Sequence, residues 1–287
     1  LIKSANVFEY IQHAEDYGIE VKDSKINFEN IIKRSRTVAD GMSKGVQFLM
    51  KKNKIEVIMG TGKLKAGKKV EVTDVDGKIK EVSAKNIIIA TGGRSKELPS
   101  LKQDGKKIIG YREAMTLNKM PKKMVIVGSG AIGSEFAYFY NAMGTDVTIV
   151  EYMSNIVPVE DEDISKQLAK SFKKAGINIM IDSEVTEVDT KGNSCKVKVK
   201  TQKGEEVLDA DIVLSAVGVV ANIENIGLEE VGIETDRGKI VVDEFYKTKI
   251  DGYYAIGDCV PGQALAHVAS AEGIICVEKI AGHSPEP

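Results

Sequence analysis

The stretch from Met124 to Glu151 limits what this chain can fold into more than any other. Met124-Val125-Ile126-Val127 is a short apolar run of the kind that forms a buried parallel strand, and Gly128-Ser129-Gly130-Ala131-Ile132-Gly133 follows it directly. Glu135 to Met143 then has the pattern of a helix, and Asp146-Val147-Thr148-Ile149-Val150 that of a second strand ending in Glu151. A GxGxxG by itself is a weak signal. Here it lies between strand and helix, with a carboxylate about 20 positions later at the next strand's tip, which is the context a dinucleotide-binding βαβ unit requires. Gly128 permits the tight turn, Gly130 lets backbone approach a pyrophosphate, and Gly133 lets helix and strand pack closely. Ser129, Ala131 and Ile132 complete the expected phosphate loop, where the helix N-terminus supplies roughly half a positive charge.

Glu151 bears on which dinucleotide binds. A carboxylate at that position can accept both ribose hydroxyls of NAD and repels the extra phosphate of NADP. No Lys or Arg occurs from Tyr152 to Ser165, and Glu160-Asp161-Glu162-Asp163 adds negative charge. NAD is the expected ligand.

The 287 residues suffice for two domains with real cores. A hydrophobic content of 43% and a charged content of 29% are those of a globular protein, and a net charge of −2 gives no electrostatic basis for nucleic-acid or membrane binding. No apolar run approaches the roughly 20 residues that span a bilayer. Cys195, Cys259 and Cys276 are scattered, with no CxxC or CxxxxC pair, so free thiols in a reducing, cytoplasmic compartment are expected. Leu1 to Tyr17 follows a helical pattern with no N-cap before it, as though the chain began inside a larger protein.

Two segments echo each other. Ala84-Lys85-Asn86-Ile87-Ile88-Ile89-Ala90-Thr91-Gly92 is matched by Ala210-Asp211-Ile212-Val213-Leu214-Ser215-Ala216-Val217-Gly218. Both are buried-strand patterns ending in a glycine, and each follows charge-rich alternating β segments, Glu71 to Val82 and Lys196 to Leu208. Only the second has its own upstream GxGxxG. The expectation is α/β: two Rossmann-like nucleotide-binding domains, the first incomplete. Elsewhere Phe28 to Lys52 reads as a long helix with Ile31, Ile32, Val38, Val46 and Leu49 on one face, and with a kink or close packing at Gly41 and Gly45. Ile55 to Ala66 reads as strands, Leu98 to Asn118 as a connector, and Ile164 to Ala175 as an amphipathic helix closed by Gly176. Ile177 to Val188 reads as a strand pair.

Thr248 to Asp258 ends with an apolar strand, Tyr253 to Ile256, that delivers Gly257 and Asp258. A bare Gly-Asp is ordinarily a turn. Together with the fingerprint and the repeat, it makes the sequence resemble the pyridine nucleotide-disulfide oxidoreductases over essentially its whole length. Leu1-Ile2-Lys3-Ser4-Ala5 resembles the helix that follows that family's redox CxxxxC, and Gly60-Thr61-Gly62-Lys63 its segment near the flavin adenine. Ala90-Thr91-Gly92-Gly93 resembles the turn joining its two nucleotide domains, Gly133-Ser134-Glu135-Phe136-Ala137 the start of its nicotinamide-side helix, and Leu265-Ala266-His267 the segment at the flavin edge. Histidine at 267 would otherwise be a satisfied core residue.

The resemblance implies FAD beside Gly62, Ala90, Thr91, Gly92, Asp258 and Ala266, with Asp258 accepting a hydrogen bond from the ribityl chain. It implies NAD beside the fingerprint, Glu151, Val185 and Gly218, with Glu135 near the nicotinamide. It divides the chain into a partial FAD domain over 1–118, an NAD domain over 119–245, and a return to the FAD domain over 246–287. It is closest to the members that reoxidise protein-bound dihydrolipoamide, which implies lipoyl domains of 2-oxoacid dehydrogenase or glycine cleavage complexes as partners and a homodimer in the complete protein. Another flavin disulfide reductase, such as a mercuric reductase, or a non-catalytic NAD-binding module are the alternatives. The flavin GxGxxG, the CxxxxC pair and the interface domain with its His-Glu base are absent from these residues, so no catalytic cysteine is expected here. Val219 stands where relatives carry an arginine.

Overall fold

The computed structural model describes residues 1–287, which form two compact units: Leu1–Gln47 with Ser95–Gly218, and Phe48–Arg94 with Val219–Pro287.

In the first unit, a five-stranded parallel sheet runs Ile108–Ile109, Ile212–Ser215, Lys123–Val127, Asp146–Val150, Asn178–Met180 in spatial order. Alternate residues of a strand point to opposite faces, and the fingerprint strand separates accordingly. Met124 and Ile126 join a core with Phe139, Tyr140, Ile149 and Phe172. Val125 and Val127 join a second one with Val150, Val197 and Val213. Each of these side chains, fully buried, contributes about 1.5–3 kcal/mol. The second core lies under an antiparallel meander, Glu184–Asp189, Cys195–Thr201 and Gly204–Ala210. Buried Tyr140 satisfies its hydroxyl by donating to the Ala114 carbonyl at 2.6 Å, and burial pushes its ionisation upward.

Ile2–Gln12 is helical and packs on the fingerprint helix Ala131–Ala142 through fully buried Ala5. The Tyr138 hydroxyl lies 2.6 Å from both Asn6 Oδ1 and Glu9 Oε2, and donates its single proton to one of them. Ala14–Tyr17 is a separate 3-10 turn. Glu162–Lys174 is N-capped by Asp161, whose carboxylate accepts the Asp163 N–H at 2.9 Å, and Gly176 follows its end at φ +89°.

The second unit pairs Ile87–Ile89 in parallel with Tyr253–Ala255, beside an antiparallel meander of Thr61–Lys65, Lys69–Thr73 and Ile79–Ser83. Its core gathers Leu64, Ile89, Leu228, Ile240, Tyr253 and Cys259. Gly227 is obligatory: at φ +86°, a β-carbon there would stand 2.3 Å from the Leu64 carbonyl oxygen. Helix Ala266–Ile280 follows.

Several expectations fail. Phe28–Lys52 is helical throughout, yet Val38, Val46 and Leu49 are exposed, and nothing lies within 4 Å of a β-carbon at Gly41 or Gly45. Ile31, at the start of the stripe, packs against the first core, whereas the stripe from Val38 onward is an uncovered face, and the glycines are not close-packing sites. Ile55–Gly60 is not a strand; pairing begins at Thr61, where Thr73 supplies a partner. The 98–118 connector contributes Ile108–Ile109 to the main sheet and a short helix, Tyr111–Ala114. The fingerprint helix starts at Ala131, four residues before Glu135. No helix is long and apolar enough to cross a membrane.

Candidate nucleotide-binding site

The chain order places the topological switch point of the sheet between Lys123–Val127 and Ile212–Ser215: from the fingerprint strand the chain proceeds outward to one side, then returns to the other. Ligands of open α/β sheets bind there, outside the carboxyl ends of the strands. A cleft of about 570 Å³ opens at that place, lined among others by Gly128, Ser129, Gly130, Glu151, Val185 and Gly218.

The three glycines of the fingerprint have different work. Gly128 is at φ +95°, and a β-carbon would lie 2.4 Å from the Ala216 carbonyl oxygen. At Gly133 it would lie 2.0 Å from the Gly128 oxygen. Both are required by the fold. Gly130 has ordinary extended backbone, φ −61° and ψ −174°, and nothing within 4 Å of the β-carbon position. The fold does not need glycine at 130, and the space beside its α-carbon is open. The N–H groups of Gly130, Ala131 and Ile132 have no partner within the protein, as the first turn of a helix leaves them. They form a donor set suited to a diphosphate.

Glu151 is 7% exposed yet lines the cleft. Its Oε2 accepts the Ser129 N–H at 2.8 Å and the Ser129 hydroxyl at 2.6 Å, and its Oε1 accepts the Met153 N–H at 2.9 Å. A carboxylate has about four acceptor positions, so three are taken. Accepting two ribose hydroxyls therefore requires the Ser129 hydroxyl to turn away. The sequence pattern could not show that Glu151 also ties down the phosphate loop.

The side chains of Ala131 and Ile132 do not line the cleft wall, Ala131 being exposed and Ile132 half-buried, and Gly133 is buried. Glu135 is exposed and lines a different cleft, of about 460 Å³, with Lys3, Arg34, Arg36, Met42 and Phe136. Sequence reasoning missed Lys96, Tyr152, Ser183 and Glu184 on the wall of the nucleotide cleft. Tyr152 could have been found as the residue after Glu151; Lys96 has no local signal.

The residues matched to a flavin lie in the second unit. Gly62 and Thr91 line a cleft of about 520 Å³ with Arg94, Asn222, Glu224 and Asn225. Arg94 grips Glu224 through two hydrogen bonds of 2.8 and 2.9 Å, and this holds the Glu224 carboxyl down to about 2. Asp258 sits in the 3-10 turn Gly257–Cys259. Buried Glu272 fixes that turn by accepting the Gly257 N–H at 2.5 Å, and Lys239 donates to the Asp258 carbonyl. The Asp258 carboxylate itself has no hydrogen bond or ion pair, and one oxygen stands 3.3 Å from the β-carbon position of Gly93. A half-buried, unpartnered acceptor on a pinned turn fits a ligand hydroxyl. Ala90 and Ala266 are exposed and Gly92 is half-buried. Cys195, Cys259 and Cys276 are all buried and free, and burial pushes each thiol upward, away from the reactive thiolate.

The family model for pyridine nucleotide-disulphide oxidoreductases matches residues 5–273. The chain is 43% identical, over its whole length, to the dihydrolipoyl dehydrogenase of Chlorobaculum tepidum, of which it covers 61%. It is 36% identical over 98% of its length to the mitochondrial dihydrolipoyl dehydrogenase 2 of Arabidopsis thaliana, covering 56% of that protein. The crystal structure of LpdA from Mycobacterium tuberculosis superposes with a TM-score of 0.92 at 29% identity, over all of this chain and 62% of that one. The chain thus spans about three fifths of the length of its relatives, and the resemblance read from the motifs holds.

Proposed function

We propose a function from the premise that this chain belongs to the pyridine nucleotide-disulphide oxidoreductase family: it is the NAD-binding and part of the FAD-binding portion of a dihydrolipoyl dehydrogenase. In the complete protein, dihydrolipoamide carried on lipoyl domains is reoxidised through a redox disulfide and FAD, and hydride passes to NAD. The cofactors carry the redox chemistry, and the protein supplies position and electrostatics. The observation that carries this reading is the fingerprint cleft itself. Open space at Gly130, three unpartnered N–H groups and a carboxylate one strand away form a complementary surface for a diphosphate and an adenosine ribose.

In this account Gly130, Ala131 and Ile132 donate to the diphosphate, and Glu151 accepts a ribose hydroxyl in place of the Ser129 hydroxyl. Val185 packs beside the adenosine half, Gly218 presents backbone to the other half, and Glu135 stands toward the nicotinamide. On the flavin side, Asp258 accepts a hydroxyl, and Gly62, Ala90, Thr91, Gly92 and Ala266 give backbone approach. The functional division is then 1–118 and 246–287 for FAD, and 119–245 for NAD. Lipoyl domains of 2-oxoacid dehydrogenase or glycine cleavage complexes are the partners, the complete protein is a homodimer, and the three free buried thiols suit a reducing cytoplasm.

Glu151→Ala is expected to weaken NADH binding by roughly 1.5–3 kcal/mol, the size of a hydrogen bond to a charged group, and to reduce discrimination against NADPH. Calorimetry on the folded variant reads both. Unchanged NADH affinity would remove Glu151 from the site.

A further inference from the structure

We propose that Lys96 is the cation that neutralises the dinucleotide's diphosphate, acting on its nicotinamide-side phosphate. The inference rests on the nucleotide assignment of the fingerprint cleft. Among the residues lining that cleft, Lys96 is the only lysine or arginine, against the two carboxylates of Glu151 and Glu184. A diphosphate brings two negative charges to this wall, and a helix N-terminus offsets roughly half of one. Lys96 is exposed, and its ammonium engages no carboxylate or other partner. It is available to a ligand at no cost of breaking an existing pair.

Its place along the ligand follows from the sheet. The Lys96 N–H donates to the Gly218 carbonyl at 2.9 Å, which pins the residue beyond the end of Ile212–Ser215. That strand flanks the fingerprint strand on one side, and Asp146–Val150, which ends in Glu151, flanks it on the other. With the adenosine ribose at Glu151 and the diphosphate over Gly130, the remaining half of the dinucleotide extends toward Gly218. Lys96 therefore meets the phosphate distal to adenosine. This also leaves the absence of a cation around Glu151 intact, so the lysine does not create an NADP site.

The test is titration of the full chain with NADH, ADP-ribose and AMP at low and moderate salt. Lys96→Ala should bind NADH and ADP-ribose roughly three- to tenfold more weakly than wild type, with a flatter salt dependence, as expected for loss of one exposed charge-assisted contact. AMP, which lacks the distal phosphate, should change by less than about twofold within the error of such additivity, and Lys96→Arg should restore most of the NADH affinity. Equal NADH binding by Lys96→Ala and wild type, or an equal loss for AMP and NADH, overturns the assignment of Lys96 alone. If wild type and Gly130→Val both fail to bind NADH, the reading of the cleft fails, and the proposal with it.

Discussion

Gly133→Ala is expected to destabilise the first unit by about 4 kcal/mol or more, at the upper end of what single substitutions do. Two effects oppose each other. Alanine in a helix is favoured over glycine by roughly 1 kcal/mol, and Gly133 lies inside Ala131–Ala142. Against this, the new methyl would stand 2.0 Å from the Gly128 carbonyl oxygen and 3.0 Å from its carbon. Both atoms are backbone, in a turn whose own glycine is fixed by φ +95° and by the Ala216 carbonyl. No flexible side chain can yield, so either the helix or the loop must move. The clash outweighs propensity. Urea unfolding followed by circular dichroism would read the loss, and a midpoint equal to or above that of wild type would contradict the packing described here.

Gly130→Val, three residues away, should do the opposite. Its backbone suits any residue and its β-carbon meets nothing within 4 Å. The structural penalty is confined to replacing a tolerated N-cap by a poor one, about 1 kcal/mol. The isopropyl group would fill the space where a diphosphate must approach the N–H groups of Gly130, Ala131 and Ile132. Each charge-assisted hydrogen bond forfeited is worth roughly 1.5–3 kcal/mol, so NADH affinity should fall by more than about a hundredfold. Calorimetry showing wild-type affinity in a folded Gly130→Val protein would exclude a ligand at this loop. One substitution moves stability and the other moves binding, although both fall on one hexapeptide.

What the sequence revealed depends on how local the cause is. Strand, turn, helix and second strand from Lys123 to Val150 are set by side-chain period and glycine spacing within 28 residues, and they were legible. The bounds of Phe28–Lys52 were legible for the same reason. Whether its apolar stripe is covered was not, because Val38, Val46 and Leu49 carry a periodicity whatever faces them. Ile108–Ile109 was missed because two residues show no period, and its partner Ile212–Ser215 is about a hundred positions away. In the site, Glu151 and the fingerprint follow from a motif. Lys96 reaches the cleft only through its bond to Gly218, and Glu272 reaches the Asp258 turn only through the packing of a later helix. Tertiary contacts of that kind leave no mark in a single sequence.

The most direct measurement is a titration of the wild-type chain with NADH and with NADPH in the same buffer. The fingerprint cleft, with Glu151 on its wall and no cation beside it from Tyr152 to Ser165, predicts saturable binding of NADH and weaker binding of NADPH by at least about tenfold. Tighter binding of NADPH, or of neither nucleotide, would contradict the account at its centre.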